Sequence, residues 1–351
     1  MSLKTVRPDE SDIRFAMDGR LPQRAVVQQV FRILGEEGII PLLRRLGTFS
    51  VRDVLTACES ELGYLLNDSG RSRTVRTMLE LLAESGVIAK TGDRCVFGSD
   101  TMLHETFDDR EAAILHAAFA GQMAFFAVCA DQFPSFLRGE PCPVRFDADA
   151  APLWKQFLEN EEYAYARALL IRLLSRGYRK PVRLLDLCCG TGAGSEMIRR
   201  MWPDAEITAL DANDLGPLSR EFVSEGPPLL WRGFGDPLPY AAGAFDVVFF
   251  ACADPYISQS LRHHVYADIY RILRRGGSLG ILTRSLPDPE RRYMRDPWMR
   301  RAALGHDILE SVCAGWQGFS CPKQSAALFE TVGFRTDAVM LDASLWKLVK
   351  P

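Results

Sequence analysis

From residue 181 onward the chain repeats one texture: a short apolar run, a turn, a helix-like stretch, then another apolar run. The runs are VRLLDLC, EITALD, FDVVFFA and GSLGILT. Strands that alternate with helical segments pair in parallel, through crossovers that place helices on both faces of the sheet. The alternation therefore predicts an α/β fold for the C-terminal half. Any ligand of such a sheet sits where the strands end, at their carboxyl edge.

The first half reads differently. Residues 22–46 carry apolar residues at helical spacing, with expected breaks near Gly38 and Pro41. Ser50 is placed as an N-cap for a helix over Val51–Cys58. RSRTVRTMLELLAESG predicts an amphipathic helix ending near Gly86, and VIAK and RCVF flank a T-G-D turn as a hairpin. Helix, helix, helix and hairpin is a winged-helix arrangement. Residues 105–176 read as almost wholly helical, and the texture changes at GYRKP, 177–181. A length of 351 residues also favours more than one core. The expected division is a winged-helix domain over 1–104, a helical region over 105–176 and the α/β domain over 177–351.

The first strand of the α/β half runs into LLDLCCGTGAGS, residues 184–195. Strand, glycine turn and helix together place backbone N–H groups at a helix N-terminus. The dinucleotide pattern G-x-G-x-x-G, counted from Gly190, requires glycine at 195, and Ser195 stands there. The pattern present is acid-x-x-x-G-x-G: Asp186, Gly190 and Gly192. The second strand ends in Asp211, about 20 residues on, where a carboxylate accepts ribose hydroxyls. An acid at Asp186 repels phosphate and suits a ligand that carries an ammonium group. Cys188 occupies a place where a glycine is more usual, which a small side chain tolerates if its φ stays negative.

LLDLCCGTGAGS followed by ITALDAN resembles the first motif and second-strand acid of class I S-adenosylmethionine-dependent methyltransferases. FLRGEPCPVRF, RGFGDPLP, LRRGGSLGILTRSLPDP and ALFETVGFRTDAV extend the likeness to the O-methyltransferase family with an N-terminal winged-helix dimerisation domain. The resemblance implies a Rossmann-like doubly wound, mostly parallel sheet preceded by an all-helical winged-helix dimerisation domain. It implies S-adenosylmethionine as cofactor, a homodimer and a small-molecule substrate. On it, Asp186, Cys188, Gly190, Gly192, Asp211, Phe234, Asp236 and Cys252 surround the cofactor. The helix carrying Tyr163 and Tyr165 leans over it, where a ring could meet the sulfonium by cation–π contact; core packing is the alternative for either ring.

Two places depart from the family. Gly233 stands where an aspartate usually contacts adenine, leaving Phe234 and Asp236 for that role. The family's histidine base falls about nine residues after the fourth strand's acid, Asp246, and that place is Pro255. A phenol or alcohol acceptor gains ~10²–10⁴-fold from a general base. A thioether, a neutral amine or a carboxylate needs none. The expectation is an acceptor of that second kind, with Asp254, His263 or His264 as substitutes if a base is present after all. Self-attack within S-adenosylmethionine, releasing methylthioadenosine, is the alternative reaction.

A third reading is a DNA-binding regulator using Arg71, Arg73 and Arg76 on the winged helix's third helix. The net charge of −3 speaks against nucleic acid and against anionic membranes. MSLKTVRPDESDIR has no apolar core of a signal peptide, and nine cysteines without a C-x-x-C pair suit reduced thiols in a cytoplasm rather than zinc. No metal site is expected. Arg291, Arg292, Arg295, Arg300 and Arg301 form a cationic run that either lies on a solvated face or binds an anion.

Overall fold

A computed structural model describes residues 10–66, 68–99, 106–141, 144–178, 182–213 and 231–351. The chain divides into two compact units, Met1–Arg145 with Arg295–Trp316, and Phe146–Met294 with Gln317–Pro351. Part of the boundary expected at 177–181 lies outside the described residues.

The first unit opens with α1 (Glu10–Asp18), α2 (Leu21–Glu36) and α3 (Ile39–Leu46). Gly38, at φ 78°, separates the last two, whereas Pro41 is absorbed in the first turn of α3, where its missing N–H costs nothing. Then follow β1 (Thr48–Ser50), α4 (Val51–Leu62), α5 (Ser69–Glu84), β2 (Ile88–Thr91) and β3 (Arg94–Phe97). Ser50 caps α4 through a capping box with Asp53, and the helix runs one turn past Cys58 before Gly63 ends it at φ 69°. The expected all-helical domain is corrected here. The three strands form an antiparallel sheet in the order β1-β3-β2. The strand TFS is too short to announce itself, and tertiary pairing of Thr48 with Val96 creates it.

Helices α6 (Asp109–Ala118) and α7 (Ala120–Leu137) complete the N-terminal part of this unit. The linear division into 1–104, 105–176 and 177–351 does not match the compact units. The helical stretch is shared, α6 and α7 going to the first unit and α8 (Ala151–Leu158) and α9 (Glu161–Ser175) to the second. A later helix, Pro297–Glu310, returns to the first unit and packs against α2, α5 and α7. Its residues from Ala302 to Glu310 are buried on every side, a condition that only a bundle interior meets.

In the second unit, β4 (Val182–Leu187), α10 (Ala193–Met201), β5 (Ala205–Leu210), β6 (Phe245–Ala251), α11 (Arg262–Ile272) and β7 (Leu273–Leu282) alternate as expected. With the helix Pro297–Glu310 numbered α12, the chain ends in α13 (Pro322–Val332), β8 (Arg335–Met340) and β9 (Leu345–Val349). The six strands order as β5-β4-β6-β7-β9-β8, parallel from β5 to β7, with β9 antiparallel to both neighbours. Two apolar layers cover the sheet. One is centred on Leu185, Phe250 and Tyr266, the other on Leu170, Leu174 and Phe249. Among the described residues no single helix is long and apolar enough to cross a membrane.

Candidate active site

Register brings three strand ends together: Leu187 of β4 pairs with Leu210 of β5 and Phe250 of β6. The residues just beyond them are Cys188, Asp211 and Cys252, so the expected glycine turn, ribose acid and fourth-strand loop share one edge.

The turn is held from the side by Asp211. Its carboxylate accepts the Gly190 N–H at 2.9 Å through one oxygen and the Asn213 N–H at 2.8 Å through the other. Burial pushes its acidity down, against these bonds. Gly190 and Gly192 both have left-handed φ, 55° and 84°, the conformation glycine adopts without strain. Cys188 corrects the expectation of a negative φ: it stands at φ 57° with a β-carbon. A left-handed non-glycine residue costs roughly 1–2 kcal/mol, and the turn tolerates it because Cys189 N–H donates to Leu210 and Gly190 to Asp211 on the adjacent strand. Cys252 repeats the pattern at φ 62°, pinned by its N–H on the Leu282 carbonyl at 2.7 Å.

Asp186 lies beneath the turn, 2% exposed. Ser195 donates its hydroxyl to this carboxylate at 2.6 Å, which gives the serine in place of glycine a purpose. A β-carbon on Gly194 would stand 2.9 Å from the same carboxylate, so the acid needs glycine there to approach the helix start. Burial raises its pKa to about 6, with Ser195 and Arg167 pulling the other way. This is an under-compensated buried anion at the turn's floor, and it fits a ligand bearing an ammonium group.

On the Asp211 side of the turn, Gly233 has φ 116°, and a β-carbon added there would stand 3.8 Å from that of Ala212. That conformation accounts for a glycine at this position. Phe234 is half-buried, edge-on to Trp231 and Phe250, and Asp236 is exposed on the same loop.

The candidates for catalysis separate. Tyr165 is 63% exposed, so of two tyrosines that helical spacing turns to different faces it is the one outside the buried side of α9. Tyr163 is buried, and Arg284 and Arg167 lie 5.4 and 5.9 Å from its ring centroid. The cations on this ring are arginines. His263 and His264 are exposed on α11, and His264 borders a small cleft with Phe234, Asp236 and Asp268.

Asp254 is excluded as a free base by its partners. It is 4% exposed in a 3-10 turn, Asp254–Tyr256, with one oxygen on the Arg262 guanidinium and the other on the Tyr266 hydroxyl. Arg262 also donates to Ser320. Burial and the Asp254 charge hold the Tyr266 phenol well above its ordinary range. Pro255, beside it, is buried and accepts Gln317 N–H at its carbonyl. Asp246 lies at the opposite end of β6, tied to Arg183 and Arg274.

Residues 184–277 match the family model described as a methyltransferase domain. That stretch, running from β4 into β7, is what this chain has in common with the methyltransferase domain family. Among curated proteins, it is 29% identical over 175 residues to a trans-aconitate 2-methyltransferase of Azoarcus sp., covering 47% of this chain and 66% of that protein. It is 34% identical over 99 residues to a malonyl-(acyl-carrier protein) O-methyltransferase of Herminiimonas arsenicoxydans, covering 27% of this chain and 35% of that protein. The chain thus spans about two thirds and one third of these relatives. The fold of the CurJ carbon methyltransferase matches with a TM-score of 0.62 at 14% identity, over 97% of this chain and 93% of that one. The matched residues contain the glycine turn, Asp211 and the contacts of Asp254 with Arg262 and Tyr266, whereas Tyr163, Arg167 and Arg284 lie outside them.

Among the described residues no group of three or more His, Cys, Asp or Glu side chains is placed to hold a metal ion, and the described cysteines form no disulfide. The arginine run is also redistributed. Arg300 is 4% exposed and paired with Glu84, and Arg301 donates to the Glu84 carbonyl, both inside the first unit. Sequence reading did not single out Arg167, Arg262, Tyr266 or Arg284. The available signal was a charge on an otherwise apolar helical stripe, as with Arg167 one turn after Tyr163.

Proposed function

We propose that this protein transfers the methyl group of S-adenosylmethionine to a small acidic metabolite, at a carboxylate oxygen. One observation carries this reading: the place after β6 holds Pro255, and the neighbouring acid Asp254 has both oxygens engaged by Arg262 and Tyr266. A carboxylate is nucleophilic without losing a proton, so displacement at the sulfonium needs alignment and little else. The names of the two curated relatives carry acidic acceptors, aconitate and malonyl.

Methyl-labelled S-adenosylmethionine, incubated with the protein and trans-aconitate or a malonyl thioester, tests the reading. The expected product is an alkali-labile methyl ester, formed at a rate that stays level from pH 6.5 to 9. A rate rising through a pKa near 7 with a phenolic acceptor would restore a general base. Methylthioadenosine from S-adenosylmethionine alone would favour ring formation instead.

The first unit's element order and its sheet β1-β3-β2 support a winged helix used for homodimerisation. DNA binding is the weaker reading, because Arg71 is bonded to Asp68 and the Phe136 carbonyl, and Arg73 to the fully buried Asp307. Light scattering should return twice the chain mass.

A further inference from the structure

We infer that Arg167 receives the carboxylate of the cofactor's amino-acid tail, opposite Asp186, which takes its ammonium group. The inference rests on S-adenosylmethionine being the ligand of this site and extends that reading to a residue outside the glycine motif.

The position of α9 comes first. Leu170 and Leu174 lie against Gly280, near the carboxyl end of β7. At the other end of the same helix Glu162 pairs at 2.9 Å with Arg284, two residues beyond the carboxyl end of β7. The helix therefore runs with its N-terminal turns over the carboxyl edge, and Arg167 sits between these two anchor points.

The charges come second. Asp186 is 2% exposed and Arg167 4% exposed. Arg167 lies on a helix that packs against α10, whose Ser195 holds Asp186, and its charge lowers the Asp186 pKa, yet the two make no ion pair within 4 Å. The guanidinium has one hydrogen bond, to the Leu158 carbonyl, and rests against the Tyr163 ring. The carboxylate has the Ser195 hydroxyl. Two opposite charges buried in the same region without an ion pair are a costly arrangement, since each has lost water and neither has gained its partner. A zwitterion laid between them compensates both. An α-amino acid end supplies one ammonium and one carboxylate on a single carbon, and a guanidinium binds that carboxylate through two parallel N–H donors.

Calorimetry with three nucleosides separates the possibilities. S-adenosylhomocysteine carries both tail charges, its decarboxylated analogue S-adenosyl-3-thiopropylamine carries only the ammonium, and 5′-methylthioadenosine carries neither. For the unaltered protein we expect removal of the carboxylate to weaken binding at least tenfold. For Arg167→Met we expect S-adenosylhomocysteine to weaken by the same factor, the thiopropylamine to be unchanged within twofold, and methylthioadenosine to bind as before. Arg167→Lys should recover part of the loss. The inference is overturned if the unaltered protein binds S-adenosylhomocysteine and the thiopropylamine equally, or if Arg167→Met weakens all three nucleosides alike. Should none of the three bind the unaltered protein, the cofactor reading itself fails, a result distinct from either of those. The ligand-side comparison needs no variant, so it holds even if Arg167→Met does not fold.

Discussion

The two edges of the C-terminal sheet are built from the same residue types and behave differently. At the amino edge, Asp246 at the start of β6 accepts the Arg183 N–H at 2.9 Å and pairs with the Arg274 guanidinium. Burial alone would raise its pKa, but Arg274 and Arg183 outweigh that and hold it below its usual value. At the carboxyl edge, Asp186 has no cation in contact and its pKa rises to about 6. The backbone differs too. Cys188, Cys252 and the run Leu341–Ala343, which precedes β9 and lies beyond Leu282, all have left-handed φ on non-glycine residues. One edge is relaxed and internally paired. The other holds strain and unpaired charge, as expected where a ligand completes the structure.

The largest effect should come from the buried network that anchors the loop after β6. Arg262→Met leaves Asp254 without its cation and should destabilise the fold by about 3–5 kcal/mol in denaturant titration. Adding Asp254→Leu should recover most of that loss. A single variant that unfolds at the same denaturant concentration as the parent would remove this pair from the account of the edge.

Next is pH. The folded-state pKa of Asp186 lies above the ordinary carboxylate value of 3.8, at about 6, so the folded state binds the extra proton. Its favourable contribution is complete below pH 4 and is lost as pH rises through 6, by about 3 kcal/mol. The ligand-free protein should show that slope and Asp186→Asn should lack it. S-adenosylhomocysteine should bind more tightly as pH rises through the same window, because the proton competes with the ligand's ammonium group.

Asp186→Ala should weaken S-adenosylhomocysteine by roughly 100-fold in calorimetry, the loss of a charge-assisted bond in a buried site. Asp246→Asn, at the other edge, should change that affinity less than twofold and stability by under about 1 kcal/mol, since its arginines are half-exposed. Equal effects at the two edges would erase the comparison.

The smallest effect tests strain. Cys188→Gly relieves the left-handed residue but adds freedom to the unfolded chain, so the net gain should stay below about 1 kcal/mol. Gly192→Ala, at φ 84°, should shift the melting temperature the opposite way.

Much of the second unit was legible because its signals are local. The alternation of apolar runs and helices marks β4 to β7, and D-x-x-x-G-x-G marks the turn. Asp211 follows at the right distance because a strand, a helix and a strand have nearly fixed lengths. The displacement of α12 into the first unit was not legible. Its sequence PWMRRAALGHDILE reads as a cationic amphipathic helix until Glu84 and Arg73 supply its partners. Helical spacing turns Tyr163 and Tyr165 to different faces, but only the rotation of α9 decided which of them is buried and which exposed.

The amino-acid order by itself therefore determined the α/β class, the position of the ligand turn and the absence of a histidine at 255, since these depend on periodicity and residue identity. The three-dimensional arrangement alone decided that Asp254 is engaged, that Cys188 is left-handed and that Arg167 and Asp186 are both buried without an ion pair between them. Those properties arise from contacts between residues far apart in the chain. Whether a charge is neutralised, solvated or left for a ligand depends on which distant side chain the fold brings beside it.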